Sequence, residues 1–128
     1  MRLKNVLLVV KDIEVSKKFY KDLFDLEVIT DFGRNVILTE GLVLQEKSLW
    51  EEFVKQKVVP GGNAMELYFE HNDLNAFAKK LEESAYEISY VNPLMQHEWG
   101  QKVIRFYDPD MHLIEVGESL EYVNRIKE

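Results

Sequence analysis

One pattern of apolar periodicity occurs twice along the chain, and this duplication restricts the fold more than any other feature. "KNVLLVV" alternates as a strand, and "DIEVSKKFYKDLF" then repeats its apolar residues at helical spacing behind Asp12, an N-cap residue type. "LEVIT", "NVILT" and "LVLQEK" follow as short strands punctuated by Gly33 and Gly41. The second half repeats this order, with "MELYFE", the helical "NDLNAFAKKLEES", then "YEISYV", "KVIRFY" and "LIEVGE". The expected fold is therefore α+β, with two tandem β-α-β-β-β modules. Module one covers about residues 1–50 and module two about 64–118, with a linker helix and turn over about 48–63 and a tail over 119–128. Ser48 and Glu51 are spaced as a capping box for the linker helix, and Pro60-Gly61-Gly62 ends it. "NPLMQHEWGQ" is predicted to be an extra loop of module two.

Matching the halves registers Asp12-Ile13 with Asp73-Leu74, and Leu44-Gln45 with Ile114-Glu115. Asn5 and Glu66 then occupy equivalent places in the two first strands. Each of these four residues is polar within or beside an apolar run, and a polar group buried in a strand is costly without a partner. Period two sends Val6, Leu8 and Val10, and Leu67 and Phe69, toward the helices. Asn5, Glu66, Tyr68, Gln45 and Glu115 are left to line the other face. Arg105 and Tyr107 alternate with Ile104 and Phe106 and join that face. Arg105 can neutralise Glu66 or Glu115, or clamp a ligand carboxylate.

Composition narrows the function. With 128 residues the chain suits a single domain, and 46% hydrophobic with 30% charged residues argues against disorder. Its net charge of −7, with basic residues scattered along it, disfavours a nucleic-acid partner. The absence of cysteine removes thiolate nucleophiles and cysteine-based zinc sites. The opening apolar run ends at Lys11-Asp12, too short to span a bilayer, so a cytoplasmic protein without membrane attachment is expected. Trp50, Phe53, Trp99, Tyr68 and Tyr107 are aromatic candidates for a pocket. His97 and Glu98, beside Trp99, suit acid–base work. His71 and His112 are expected to serve a loop and a turn.

The paired modules, the opening "KNVLLVVKDIEVSKKFYKDLFDLEV" and the closing "IRFYDPDMHLIEVGE" resemble the vicinal-oxygen-chelate superfamily of glyoxalases, bleomycin-resistance proteins and extradiol dioxygenases. The resemblance implies a homodimer. It also implies a ligand cup in which a divalent metal (Mg, Mn or Zn), where present, is held at the positions of Asn5, Gln45, Glu66 and Glu115. Two amides at those places and no histidine argue against an iron extradiol dioxygenase. The first expectation is a protein that binds a small organic molecule through Asn5, Gln45, Tyr68, Trp99, Arg105, Tyr107, Trp50 and His97, without a tightly held transition metal. The alternatives are a metal-dependent glyoxalase-type lyase or isomerase that uses Glu66 and Glu115, and a metal-free isomerase with a glutamate base.

Overall fold

The computed structural model describes residues 1–119 and 121. Most of the tail that the sequence sets at 119–128 lies outside the described residues. The chain divides into two compact units, Met1–Pro60 and Gly61–Glu128, and the division falls within the Pro-Gly-Gly break.

The first unit runs β1 (Val6–Val10), α1 (Ile13–Phe24), β2 (Val28–Asp31), β3 (Asn35–Leu38), β4 (Leu42–Glu46) and α2 (Lys47–Val54). Asp12 caps α1 as its sequence position implies, its carboxylate accepting from the backbone N–H groups of Glu14 and Val15. The helix buries Ile13, Ser16, Phe19, Tyr20 and Leu23. The strands stand in the order β1-β4-β3-β2, with β1 and β4 parallel and the other pairs antiparallel. Leu8, Val10, Val36, Leu38, Leu42 and Leu44 are buried and form the sheet's share of the core.

The second unit repeats the plan with β5 (Glu66–Glu70), α3 (Leu74–Glu83), β6 (Ser89–Gln96), β7 (Lys102–Tyr107) and β8 (Leu113–Gly117). Its strand order is β5-β8-β7-β6, again with one parallel pair, β5 with β8. Asp73 caps α3 through the Ala76 N–H. Ile104, Phe106, Ile114 and Val116 are buried on the side of the sheet that carries α3, where Phe77 packs against Phe106 at 6.3 Å. The α+β class and the duplicated module are thus as expected.

Two local expectations are corrected. The segment "NPLMQ" belongs to strand β6, which bulges between Tyr90 and Asn92 and again between Asn92 and Met95. Pro93 is tolerated because β6 is an edge strand and its missing N–H interrupts no interior ladder. The Ser48–Glu51 capping box does not form. The helix α2 begins at Lys47 behind Glu46 with no side-chain cap, and Ser48 Oγ donates to Glu46 while accepting from Arg34 Nη2.

Candidate ligand site

Strand pairing in the second unit sets one residue from each strand into a single row. Tyr68 stands opposite Glu115, Glu115 opposite Arg105, and Arg105 opposite Asn92. Alternation from the buried Ile104, Phe106, Ile114 and Val116 turns Arg105 and Glu115 away from α3. Arg105 Nε donates to Glu115 Oε1 at 2.8 Å, and its Nη1 donates to Asn92 Oδ1 at 3.1 Å. Arg105 Nη2 also lies 3.5 Å from His97 Nε2. The two ion-pair side chains are only 25% and 13% exposed, so the pair carries a desolvation cost that a surface pair would escape.

An aromatic arrangement borders this row. The His97 and Trp99 rings stack at 4.1 Å, and Trp99 Nε1 donates to Gln101 Oε1 at 3.1 Å. The buried Gln101 in turn donates through Nε2 to Tyr68 Oη and to the Glu118 carbonyl, each at 2.9 Å. Gly117 lies beneath this junction, where an added Cβ would stand 2.6 Å from Tyr68 Oη and 3.0 Å from Gln101 Nε2. Burial of its hydroxyl end raises the Tyr68 phenol above its ordinary value. Glu70, Glu115 and Glu66 add to that rise against the opposing Gln101 hydrogen bond, so the hydroxyl stays protonated.

The sequence-derived candidates do not all join this arrangement. Tyr68, Arg105, Glu115, His97 and Trp99 do. Glu66 is exposed and pairs with Leu113, one same-face step from Glu115 along the sheet. Tyr107 is tied through its hydroxyl to Asn63 Oδ1 at 3.1 Å. Trp50 lies on α2 of the first unit, partly buried, while Phe53 on the same helix is exposed. His71 serves its loop, its Nδ1 accepting from the Asp73 N–H, and His112 Nδ1 lies 2.7 Å from buried Asp108 in the β7–β8 turn. Two participants, Asn92 and Gln101, are absent from the sequence-derived set. Asn92 lies in the segment expected to be loop, which strand β6 includes. For Gln101 the only signal is an amide placed just before a buried strand.

The first unit holds the other two polar candidates far from each other. Asn5 precedes β1 beside Gly41, while Gln45 pairs with Val9 and donates to Asn35 Oδ1 at 2.9 Å. Four residues of strand separate the two places, about 13 Å. The pairing also corrects the repeat register. Leu7 stands to the N-cap Asp12 as Tyr68 stands to Asp73, and Leu7 pairs with Val43 where Tyr68 pairs with Glu115. Val43, not Gln45, is therefore the counterpart of Glu115.

This chemistry does not suit the metal that the resemblance implies. Ligands of one divalent ion lie within about 2.0–2.6 Å of it, a span that Asn5 and Gln45 cannot share. Glu115 Oε1 already accepts from the Arg105 guanidinium, a fixed positive charge beside the carboxylate that an ion would need. Among the described residues, no three His, Cys, Asp or Glu side chains gather as a metal site.

Residues 3–121 match the family of glyoxalase-like domains. The chain belongs to that family. With it goes membership of the vicinal-oxygen-chelate superfamily, as the repeat and its flanking motifs implied. A protein of unknown function from Agrobacterium tumefaciens str. C58 is 41% identical, with 94% of this chain and 95% of that one covered and a TM-score of 0.79. A glyoxalase-related enzyme from Fulvimarina pelagi is 20% identical over 92% of this chain and 88% of its own, with a TM-score of 0.79. The fosfomycin resistance protein FosX from Listeria monocytogenes is 21% identical over 96% and 98%, with a TM-score of 0.70. At those identities the latter two speak for the fold alone. No match is found among curated proteins. Among the described residues, no helix of this glyoxalase-like chain is long and apolar enough to cross a membrane.

Proposed function

We propose that this glyoxalase-like protein binds a small organic molecule on the second unit's sheet face, through the row Tyr68, Glu115, Arg105 and Asn92 with His97 and Trp99 beside it. A tightly held transition metal has no part in this reading. The observation that carries it is the Arg105–Glu115 pair at 2.8 Å, which occupies the carboxylate that the metal-dependent alternative requires. A carboxylate committed to a guanidinium is also badly placed to take a substrate proton, which favours binding over glutamate-base catalysis. The guanidinium, the carboxylate, the Asn92 amide and a protonated phenol offer a ligand both donors and acceptors around aromatic surface, the usual make-up of a small-molecule site.

The test is a thermal-shift screen of metabolites on the wild-type protein, paired with titrations of Mg²⁺, Mn²⁺ and Zn²⁺. A metabolite should raise Tm in the wild type and fail to do so in Glu115→Gln, which keeps an acceptor for Arg105 but removes the charge. The metals should leave Tm unchanged. Stoichiometric metal binding at micromolar affinity, lost in Glu115→Gln, would overturn the reading in favour of a metal-dependent lyase or isomerase.

A further inference from the structure

Trp99 and Tyr68 are large aromatic side chains left 53% and 45% exposed, yet neither is loose. Each is held by the same buried amide, with Gln101 Oε1 accepting from the indole and Nε2 donating to the phenol. The backbone that carries Gln101 is itself closed, because His97 N–H donates to its carbonyl at 2.8 Å and Gly100 N–H donates back to His97. Gly100 adopts φ +95, which admits this tight return readily only for glycine. The far face of Gln101 is fixed by the Glu118 carbonyl, so its amide has one orientation. Holding two half-exposed rings in place before anything binds removes the ordering cost that a flexible aromatic surface would bring to ligand association.

We infer that Gln101 is the positioning residue of this site, and that the ligand it prepares for presents a flat conjugated ring to Trp99 and Tyr68. This inference rests on the proposed ligand-binding reading of the same sheet face. Gln101 reaches the ligand only through the two rings. Gly117 shares the task by omission, since any side chain there displaces Tyr68 Oη and Gln101 Nε2 together.

The probes are matched pairs, a naphthalene and the corresponding decalin, each carrying an ammonium, a carboxylate or a neutral amide arm. Affinities are measured by calorimetry on the full chain. Wild-type protein should prefer the naphthalene member at least tenfold for one arm. Gln101→Met should reduce that preference to within about twofold, and so should Gly117→Ala, which deletes no hydrogen-bonding group. Trp99→Phe keeps an aromatic ring at this half-exposed position while deleting the indole N–H that Gln101 holds, and the Tm of each variant without probe reports that it folds. In a double-mutant cycle, Gln101→Met with Trp99→Phe should lose no more than the worse single variant, because both remove one device. Additive losses, or an unchanged ring preference in Gln101→Met, would overturn the positioning role. If wild type binds both ring types alike and Glu115→Gln abolishes both, the ligand site stands and the flat-ring inference fails. If no probe binds, both fail.

Discussion

The two units put different chemistry on one backbone position. In the first, the row is Leu7, Val43, Ile37 and Thr30; in the second it is Tyr68, Glu115, Arg105 and Asn92. The strand order, the parallel pair and the Asp-capped helix are common to both. A row without charged side chains is therefore enough to build this sheet, and the charged row is not needed for the fold. Burying an ion pair instead of aliphatic side chains of similar size generally leaves stability unchanged or lowers it by about 1–4 kcal/mol. The second unit tolerates that cost, in keeping with the ligand site proposed there. The first unit's polar pair, Gln45 with Asn35, sits one step away from the equivalent row and satisfies itself.

The sharpest single break of this comparison is Glu115→Val, which leaves Arg105 without its counterion in a partly buried site. It should lower unfolding free energy by about 2–3 kcal/mol, read as a drop in the urea midpoint at constant slope. Val43→Ala in the first unit, by contrast, should report only lost packing.

The turns before the last strands differ as well, and pH separates them. The first unit turns through Thr39–Gly41, whereas the second uses Asp108 and His112. Burial lowers the His112 imidazole, but the Asp108 hydrogen bond and charge, with Asp110, outweigh it and raise its pKa above the ordinary value. A raised histidine stabilises fully below its unfolded value near pH ~6.5, and that contribution is lost as pH rises through the folded value. Urea midpoints should thus fall as pH rises from about 6.5 through the raised folded value, and His112→Gln should flatten that slope.

Smaller effects sharpen the contrast further. Replacing Gln45 by Leu together with Asn35 by Val removes both partners of one hydrogen bond. It should change stability by less than about 1 kcal/mol and leave metabolite-induced shifts in Tm intact. Smallest is Met111→Asn. Met111 holds φ +67, and asparagine accepts that conformation better, for a gain of about 0.5 kcal/mol seen in the urea midpoint.

Much of this was legible in the sequence because it depends on local rules. Asp12 and Asp73 announce their caps, and period two alone puts Tyr68, Arg105 and Glu115 on the face without the helix. What could not be read depended on long-range pairing. The loops of the two halves differ in length, so nothing local decides whether Val43 or Gln45 answers Glu115. That choice belongs to the parallel pairing of β1 with β4. Pro93 disguised the later part of β6, from Asn92 on, as loop, since a proline normally argues against a strand unless the strand is an edge. Gln101 has no sequence signature because its importance comes from Tyr68 and Glu118, which only the folded sheet brings to it.

The most direct measurement gives the second unit the first unit's residues, with Glu115→Val and Arg105→Ile made together. Thermal unfolding is then followed with and without a metabolite that shifts the wild type. The Tm of the free double variant should equal or exceed that of the wild type, while the metabolite-induced shift disappears. A double variant that loses several kcal/mol of stability yet still responds to the metabolite would contradict the account, because the charged row would then be serving the fold and not the ligand.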